Sequence, residues 1–304
     1  MDFAGLELYD CAVRSHGAAA RLVIGTIIIL ATFTSHLPLA SAAGQLPLET
    51  DDPYSPCYGV LDAAVAYDAD LDAGRGRSGW QRSLYMSAPL VELDYGITDR
   101  IEGRFINDVP VNTGPTRGGT AAGYGDTWVG AKWRFVDQPS IDDMYRCHPP
   151  QSQARWGLQS PVSISIFPQF SLPTTSDSKE LGDGAYSMYL PLDIARERGP
   201  LTIIGEIAWD WQFHQKSSSN AFELGTAFYY VLNRRWTLLG EQRETLPTAG
   251  HGTAQWLFNL GASYGVNNRL TLFSSMGGLI PATKREYQTD YMFMIGFDVL
   301  IPVL

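Results

Sequence analysis

The chain has 304 residues and a formal net charge of −10, with 18% charged residues, 12% aromatics, 30 Gly and 15 Tyr. That acidic balance excludes a phosphate-backbone binder, which needs clustered Lys and Arg. Past residue 40 there is no run of about 18 apolar residues, which excludes a transmembrane helix in the mature chain.

Arg14 and Arg21 precede an apolar stretch from Leu22 to Phe33, and Ala40-Ser41-Ala42 supplies small residues at a cleavage position. Residues 1–42 therefore read as an export signal, the alternative being a buried N-terminal helix. Residues 43–56 follow as an N-terminal segment expected in the periplasm, and 57–304 as the folded body. Cys11 leaves with the signal, so Cys57 and Cys147 remain. In an oxidising compartment they are either a disulfide or two free thiols.

From residue 57 onward the apolar side chains recur with period two, the mark of strands with one apolar and one polar face. Ile101, Phe105 and Val109 alternate with Glu102, Arg104 and Asp108. Val162, Ile164, Ile166, Phe170 and Leu172 alternate with Ser163, Ser165, Gln169 and Ser171. Ile203, Ile207, Trp209, Trp211 and Phe213 alternate with Glu206, Asp210 and Gln212, and Tyr291 to Val299 repeats the pattern. In chain order such windows fall at 58–68, 80–95, 100–110, 123–135, 160–172, 185–195, 200–213, 220–231, 236–245, 253–265, 270–278 and 289–301, about twelve strands. Many reach the roughly 9–11 residues that a tilted strand needs to cross a bilayer.

The connections alternate in kind. Tyr95-Gly96-Ile97-Thr98-Asp99-Arg100, Tyr230-Val231-Leu232-Asn233-Arg234-Arg235 and Tyr264-Gly265-Val266-Asn267-Asn268-Arg269 are short and alike. The others, at 69–79, 111–122, 173–184, 214–219, 246–252 and 279–288, are rich in Gly, Ser, Thr and Pro. Short turns on one side and longer loops on the other predict an all-β fold, a single up-and-down antiparallel transmembrane β-barrel. A secreted β-sandwich also alternates, but its strand ends need not carry Trp133, Tyr95, Trp236, Tyr264 and Tyr291 as an interfacial belt does. In the barrel the short turns and the N-terminus face the periplasm. Cys57 and the long turn 136–159 carrying Cys147 then share one end, which favours the disulfide.

If the apolar face meets lipid, the lumen holds Asp62, Glu92, Asp94, Glu102, Asp108, Asp126, Asp193, Glu206, Asp210, Glu223, Glu241 and Asp298 against Arg100, Arg104, Lys132, Arg134 and Arg243. Two readings stay open: an acidic channel favouring cations or polar solutes, or an ion-pair network filling a narrow barrel. Candidates for a constriction are Arg100, Glu102, Arg104, Asp126, Lys132, Arg134, Glu206 and Asp210. Catalytic signals are weak: His214 or His251 with Ser217 or Ser218 could imitate a lipid-modifying enzyme, but no triad spacing supports them. Gly118-Gly119 to Gly125 lacks the Gly-Lys-Ser/Thr of a phosphate loop. Cys147-His148 has no second ligand pair, so neither metal nor cofactor is expected.

Five stretches carry a family resemblance: Leu48-Glu49-Thr50-Asp51-Asp52-Pro53; Leu93-Asp94-Tyr95-Gly96-Ile97-Thr98-Asp99-Arg100; Gly125 to Phe135; Phe167-Pro168-Gln169-Phe170-Ser171-Leu172-Pro173-Thr174; and Gly205-Glu206-Ile207. In this order they resemble the outer-membrane transporter family named for a component of a phenol-degradation (meta) pathway. The chain departs from it in the long turn 136–159 and in ending on Pro302-Val303-Leu304 rather than an aromatic. The resemblance implies an outer-membrane barrel, not an enzyme, that passes small organic and often aromatic compounds. Its expected partners are outer-membrane lipid, an organic solute and, during biogenesis, the barrel-assembly machinery.

Overall fold

The computed structural model describes residues 47–76, 79–113, 120–137, 158–159, 161–175, 181, 185–213, 218–249, 254–281 and 290–303. The regular elements among them are all strands: β1 (Val60–Gly76), β2 (Gly79–Thr98), β3 (Ile101–Asn112), β4 (Ala121–Ala122), β5 (Thr127–Asp137), β6 (Leu158–Gln159), β7 (Ser163–Ile166), β8 (Gln169–Leu172), β9 (Tyr186–Arg198), β10 (Leu201–Phe213), β11 (Ser218–Val231), β12 (Trp236–Ala249), β13 (Gln255–Gly265), β14 (Leu270–Pro281) and β15 (Asp290–Pro302). Each wall strand pairs antiparallel with its neighbour in sequence. β1 pairs with β15 from Val60↔Pro302 to Leu71↔Tyr291, which closes the sheet on itself.

β7 and β8 both lie between β5 and β9, so they are two halves of one wall strand. The break falls at Phe167-Pro168, where proline has no N–H to give the ladder. The Pro168 carbonyl still accepts from Ala131 N at 3.1 Å, and Phe167 N donates to the Pro191 carbonyl at 3.1 Å. With that pair taken as one strand and the two-residue β4 and β6 set aside, the barrel has twelve strands, as the alternation predicts. The window at 123–135 is shorter than expected, because regular pairing of β5 begins only at Thr127.

The short turns owe their likeness to side-chain capping. Asn233 Oδ1 accepts from Arg235 N (2.9 Å) and Trp236 N (3.1 Å), and Asn267 Oδ1 accepts from Arg269 N (2.8 Å) and Leu270 N (3.0 Å). Thr98 Oγ1 does the same for Arg100 N and Ile101 N. Asn and Thr satisfy backbone donors within two or three residues, which holds a tight reversal. The β9–β10 turn instead uses Gly199 at φ 61°, a left-handed conformation that costs glycine little.

Alternation sorts the faces as the sequence predicts. Ile203, Ile207, Trp211 and Phe213 are exposed on the outside, whereas Ile204, Glu206 and Ala208 are buried within. The same outer face carries Phe105, Trp133, Phe170, Leu260, Met276 and Ile295, all exposed. An apolar band of this extent is far larger than the patches that monomers expose to water, and it matches the lipid-facing band of a membrane barrel. Inside, Glu102, Lys132, Asp193 and Glu206 are each at most 2% exposed.

Candidate functional site

The segment expected to lie ahead of the barrel in the periplasm is instead, over residues 47–56, inside it. Leu48, Thr50, Asp51, Asp52, Tyr54 and Ser55 are all buried. Two prolines, Pro53 and Pro56, hold this strap extended, and Tyr54 N donates to Asp52 Oδ1 at 2.9 Å, which turns the chain locally. Gly59, at φ 73°, leads it into β1, where Gly59 N donates to the Gly96 carbonyl at 2.9 Å.

An extended segment carries a full set of backbone donors and acceptors, and burial requires that each be met. The inward face of the wall supplies several of these partners. Glu241 on β12 accepts from Glu49 N (2.9 Å) and Thr50 N (2.8 Å), and Glu206 on β10 accepts from Asp51 N (3.0 Å). Lys132 Nζ on β5 donates to the Tyr54 carbonyl at 3.0 Å, and Arg243 Nη1 on β12 donates to the Glu49 carbonyl at 2.6 Å. Asn259 on β13 and Ser275 on β14 both donate to the Pro47 carbonyl. The strap's own carboxylates are held too. Arg104 on β3 and Gln169 on β8 each donate to Asp51 at 2.8 Å, and the Tyr229 hydroxyl on β11 donates to Asp52. Beneath these polar contacts Leu48 and Tyr54 pack on Ala195, Ile204, Ala227, Tyr229 and Leu239.

Charge is concentrated around the strap. Arg104 forms a fork on Asp94 (Nε to Oδ1 2.8 Å, Nη2 to Oδ2 2.9 Å) and reaches Glu92 at 3.1 Å. Lys132 lies 3.2 Å from Glu102. Both cations stand over the ring of Phe167, at 4.5 Å for Arg104 and 4.8 Å for Lys132, a cation–π platform inside the barrel. Farther round, Arg243 pairs with Glu223, and the Tyr189 hydroxyl donates to Glu206 at 2.6 Å.

Of the eight candidate constriction residues, Glu102, Arg104, Lys132 and Glu206 come together at the strap. Arg100 and Arg134 point inward but sit at the turn end, where both pair with Asp137. Asp126 precedes β5 on the opposite side and accepts from Thr175 N and Oγ1. Asp210 lines the cavity described next. Cys57 is disulfide-bonded. Cys147, His148, His214, Ser217, His251 and the export signal 1–42 lie outside the described residues, as does the side chain of Ser218.

On the loop side of the strap the barrel opens into a cavity of about 510 Å³. Among the described residues its lining includes the carboxylates of Glu49, Asp51, Asp68, Glu92, Asp108, Asp126, Asp210 and Glu223 and two arginines, Arg104 and Arg243, both committed to ion pairs. Leu48, Leu90, Ile106 and Met294 give it apolar wall, and Trp128, Tyr85 and Tyr189 aromatic wall.

Glycines at two wall positions, Gly96 beside Pro56 and Gly225 beside Thr50, let the strap approach closely. A Cβ on Gly225 of β11 would stand 2.8 Å from Thr50 Oγ1 and 3.0 Å from its Cγ2. Gly225→Val is expected to push the strap off the wall, at the cost of about 1–3 kcal/mol typical of overpacking. Trypsin cleavage at a Lys placed at position 49 would report it, with faster cutting in the valine variant.

No family model matches the sequence, and no curated protein sequence does. Among solved structures, the fold is similar to the COG4313 outer membrane channel from Pseudomonas putida F1, with a TM-score of 0.59 at 12% identity over 84% of this chain and 100% of that one. It is also similar to the NanC porin, with a TM-score of 0.50 at 10% identity over 77% of this chain and 98% of that one. At these identities the likeness is one of architecture: the chain has the fold of an outer-membrane β-barrel.

Proposed function

We propose that this protein is an outer-membrane channel or facilitator for small organic solutes, delivered by the export signal at 1–42 and recorded here in a closed state. The observation that carries the reading is the strap. It fills the lumen through hydrogen bonds and ion pairs that water or a solute can replace, and a solute-sized cavity stands directly above it. The contacts that anchor residues 47–55 to the wall are non-covalent. The resemblance to the phenol-pathway transporters and the aromatic side chains of the cavity favour aromatic solutes within this class.

A specific observation also favours a second reading. Lys132, Glu102, Arg104 and Asp51 are all nearly or fully buried and paired, as they would be in a barrel whose interior is purely structural. Liposome swelling and single-channel recording separate the two. A channel admits small neutral or charged solutes in at least part of its recorded time, whereas a structural barrel admits none under any voltage. We further assign Cys147 as the partner of Cys57, tethering the long turn to the strap's end. Mass mapping without reductant should find the two peptides joined, and two alkylated thiols would refute the pairing.

A further inference from the structure

The strap does not cover the lumen evenly. Its anchors described above lie on β3, β5, β8 and β10 to β14, while the β1–β15 side is closed by different means. The pairing registers place Leu90, Ala66, Gly296 and Phe273 on one level of the inner wall, across four adjacent strands. The Phe273 ring lies over Gly296 so closely that a Cβ there would come within 2.6 Å of its Cζ. Ala66 is fully buried, and Phe273 and Met294 are at least nine-tenths buried. Leu90 and Met294 also line the cavity, so the cavity's floor on this side is this apolar collar.

Carboxylates stand on both sides of the collar. Asp68, paired in register with Met294, is on the cavity side. The next level toward the turns brings Glu92 and Asp298 beside Ala64, and the level below brings Asp62 beside Asp94. A collar one residue thick made of Ala, Gly, Leu and Phe, with acids above and below, is a hydrophobic constriction of the kind that closes by excluding water. Small side chains at Ala66 and Gly296 leave the swing of Phe273 and Met294 as the main obstruction.

Building on the channel reading, we propose that solute passes along the β1–β15 side through this collar with the strap in place. The geometry selects small organic cations, an ammonium carried on a compact apolar body. Glu92 and Asp94 are held by Arg104, so Asp62, Asp68 and Asp298 are the flanking carboxylates that attract the ammonium and repel anions, while the apolar body is tolerated by a collar that has no polar group to offer. Removal of the strap would open a separate and wider passage on the far wall.

The test uses the full mature chain in planar bilayers and liposomes, with Phe273→Ala, the milder Phe273→Leu and Met294→Ala. Heat-shifted gel mobility confirms that each barrel is folded. Single-channel conductance should rise severalfold in the alanine variants, and K⁺ should be preferred over Cl⁻. In swelling assays 2-phenylethylammonium should enter severalfold faster than phenylacetate, and Asp62→Asn with Asp298→Asn should erase that preference. Wild-type conductance in all three folded collar variants, alongside a conducting strap-deleted protein, would overturn the route but leave the channel reading intact. Equal entry of amine and carboxylate would overturn the solute class. Absence of conductance in every variant, strap deletion included, would remove the channel reading and this inference with it.

Discussion

Deletion of residues 43–56 should convert a nearly closed barrel into one that conducts severalfold better, with weak selectivity. The wall that closes through β1 and β15 does not depend on the strap, so the barrel should survive the deletion. A twelve-stranded barrel lies between eight-stranded ones filled by side chains and the 16–18-stranded ones that leave an aqueous channel. Here the cross-section is filled only when backbone is added to the side chains, so taking the backbone away leaves water in its place. The deletion also strips Asp51 from Arg104 and the Tyr54 carbonyl from Lys132, leaving both cations with fewer partners. Lower resistance to heat in detergent gels should therefore accompany the gain in conductance. Planar-bilayer recording reads the first effect directly, and conductance no higher than wild type would show that the strap does not limit passage.

Replacing Lys132 by Met carries a large expected cost in stability. Lys132 is fully buried between Glu102 and the Tyr54 carbonyl, and it stands over Phe167. Removing one partner of a buried pair leaves the other charge uncompensated, a loss of about 3–5 kcal/mol. Arg104, 3.7 Å from Glu102, softens this toward the lower end. Urea unfolding in lipid vesicles should show the midpoint falling. In the double variant with Glu102→Gln most of the loss should return, because the orphaned charge is then gone. A double variant no more stable than Lys132→Met alone would mean that the lysine acts chiefly through the strap carbonyl.

The barrel was legible in the sequence because its cause is local. Side chains two residues apart share a face whatever lies across the sheet, so Ile203, Ile207 and Trp211 announce the outer wall and Glu206 and Asp210 the inner one. The turns were legible for the same reason, since Asn233 and Asn267 cap donors only two or three residues away. The strap was not. Residues 47–56 have no periodicity, and their partners stand as far off as Ser275. Inward parity picked out Arg100 and Arg134 alongside Arg104 and Lys132, but it carries no height, and strand tilt decides which of them meet. Phe167 stands out in the sequence only within a stretch of family resemblance, because aromatics in such strands usually face lipid. Its inward parity was readable beside Ser165 and Gln169, but its role as a platform for two cations depends on β3 and β5 arriving above it.

Pro47 is satisfied by Asn259 and Ser275, and Glu49 by Glu241 and Arg243, all from the second half of the chain. These early residues are thus among the last to find their partners, and contacts between such distant parts of a chain form slowly. Until β13 and β14 are in position, the strap's buried N–H and C=O groups have nowhere to settle except water. A truncated or misregistered wall could not seat it. The same ten residues that block the finished barrel would then serve as its completion check, leaving an unfinished one with a loose acidic tail exposed to periplasmic proteases.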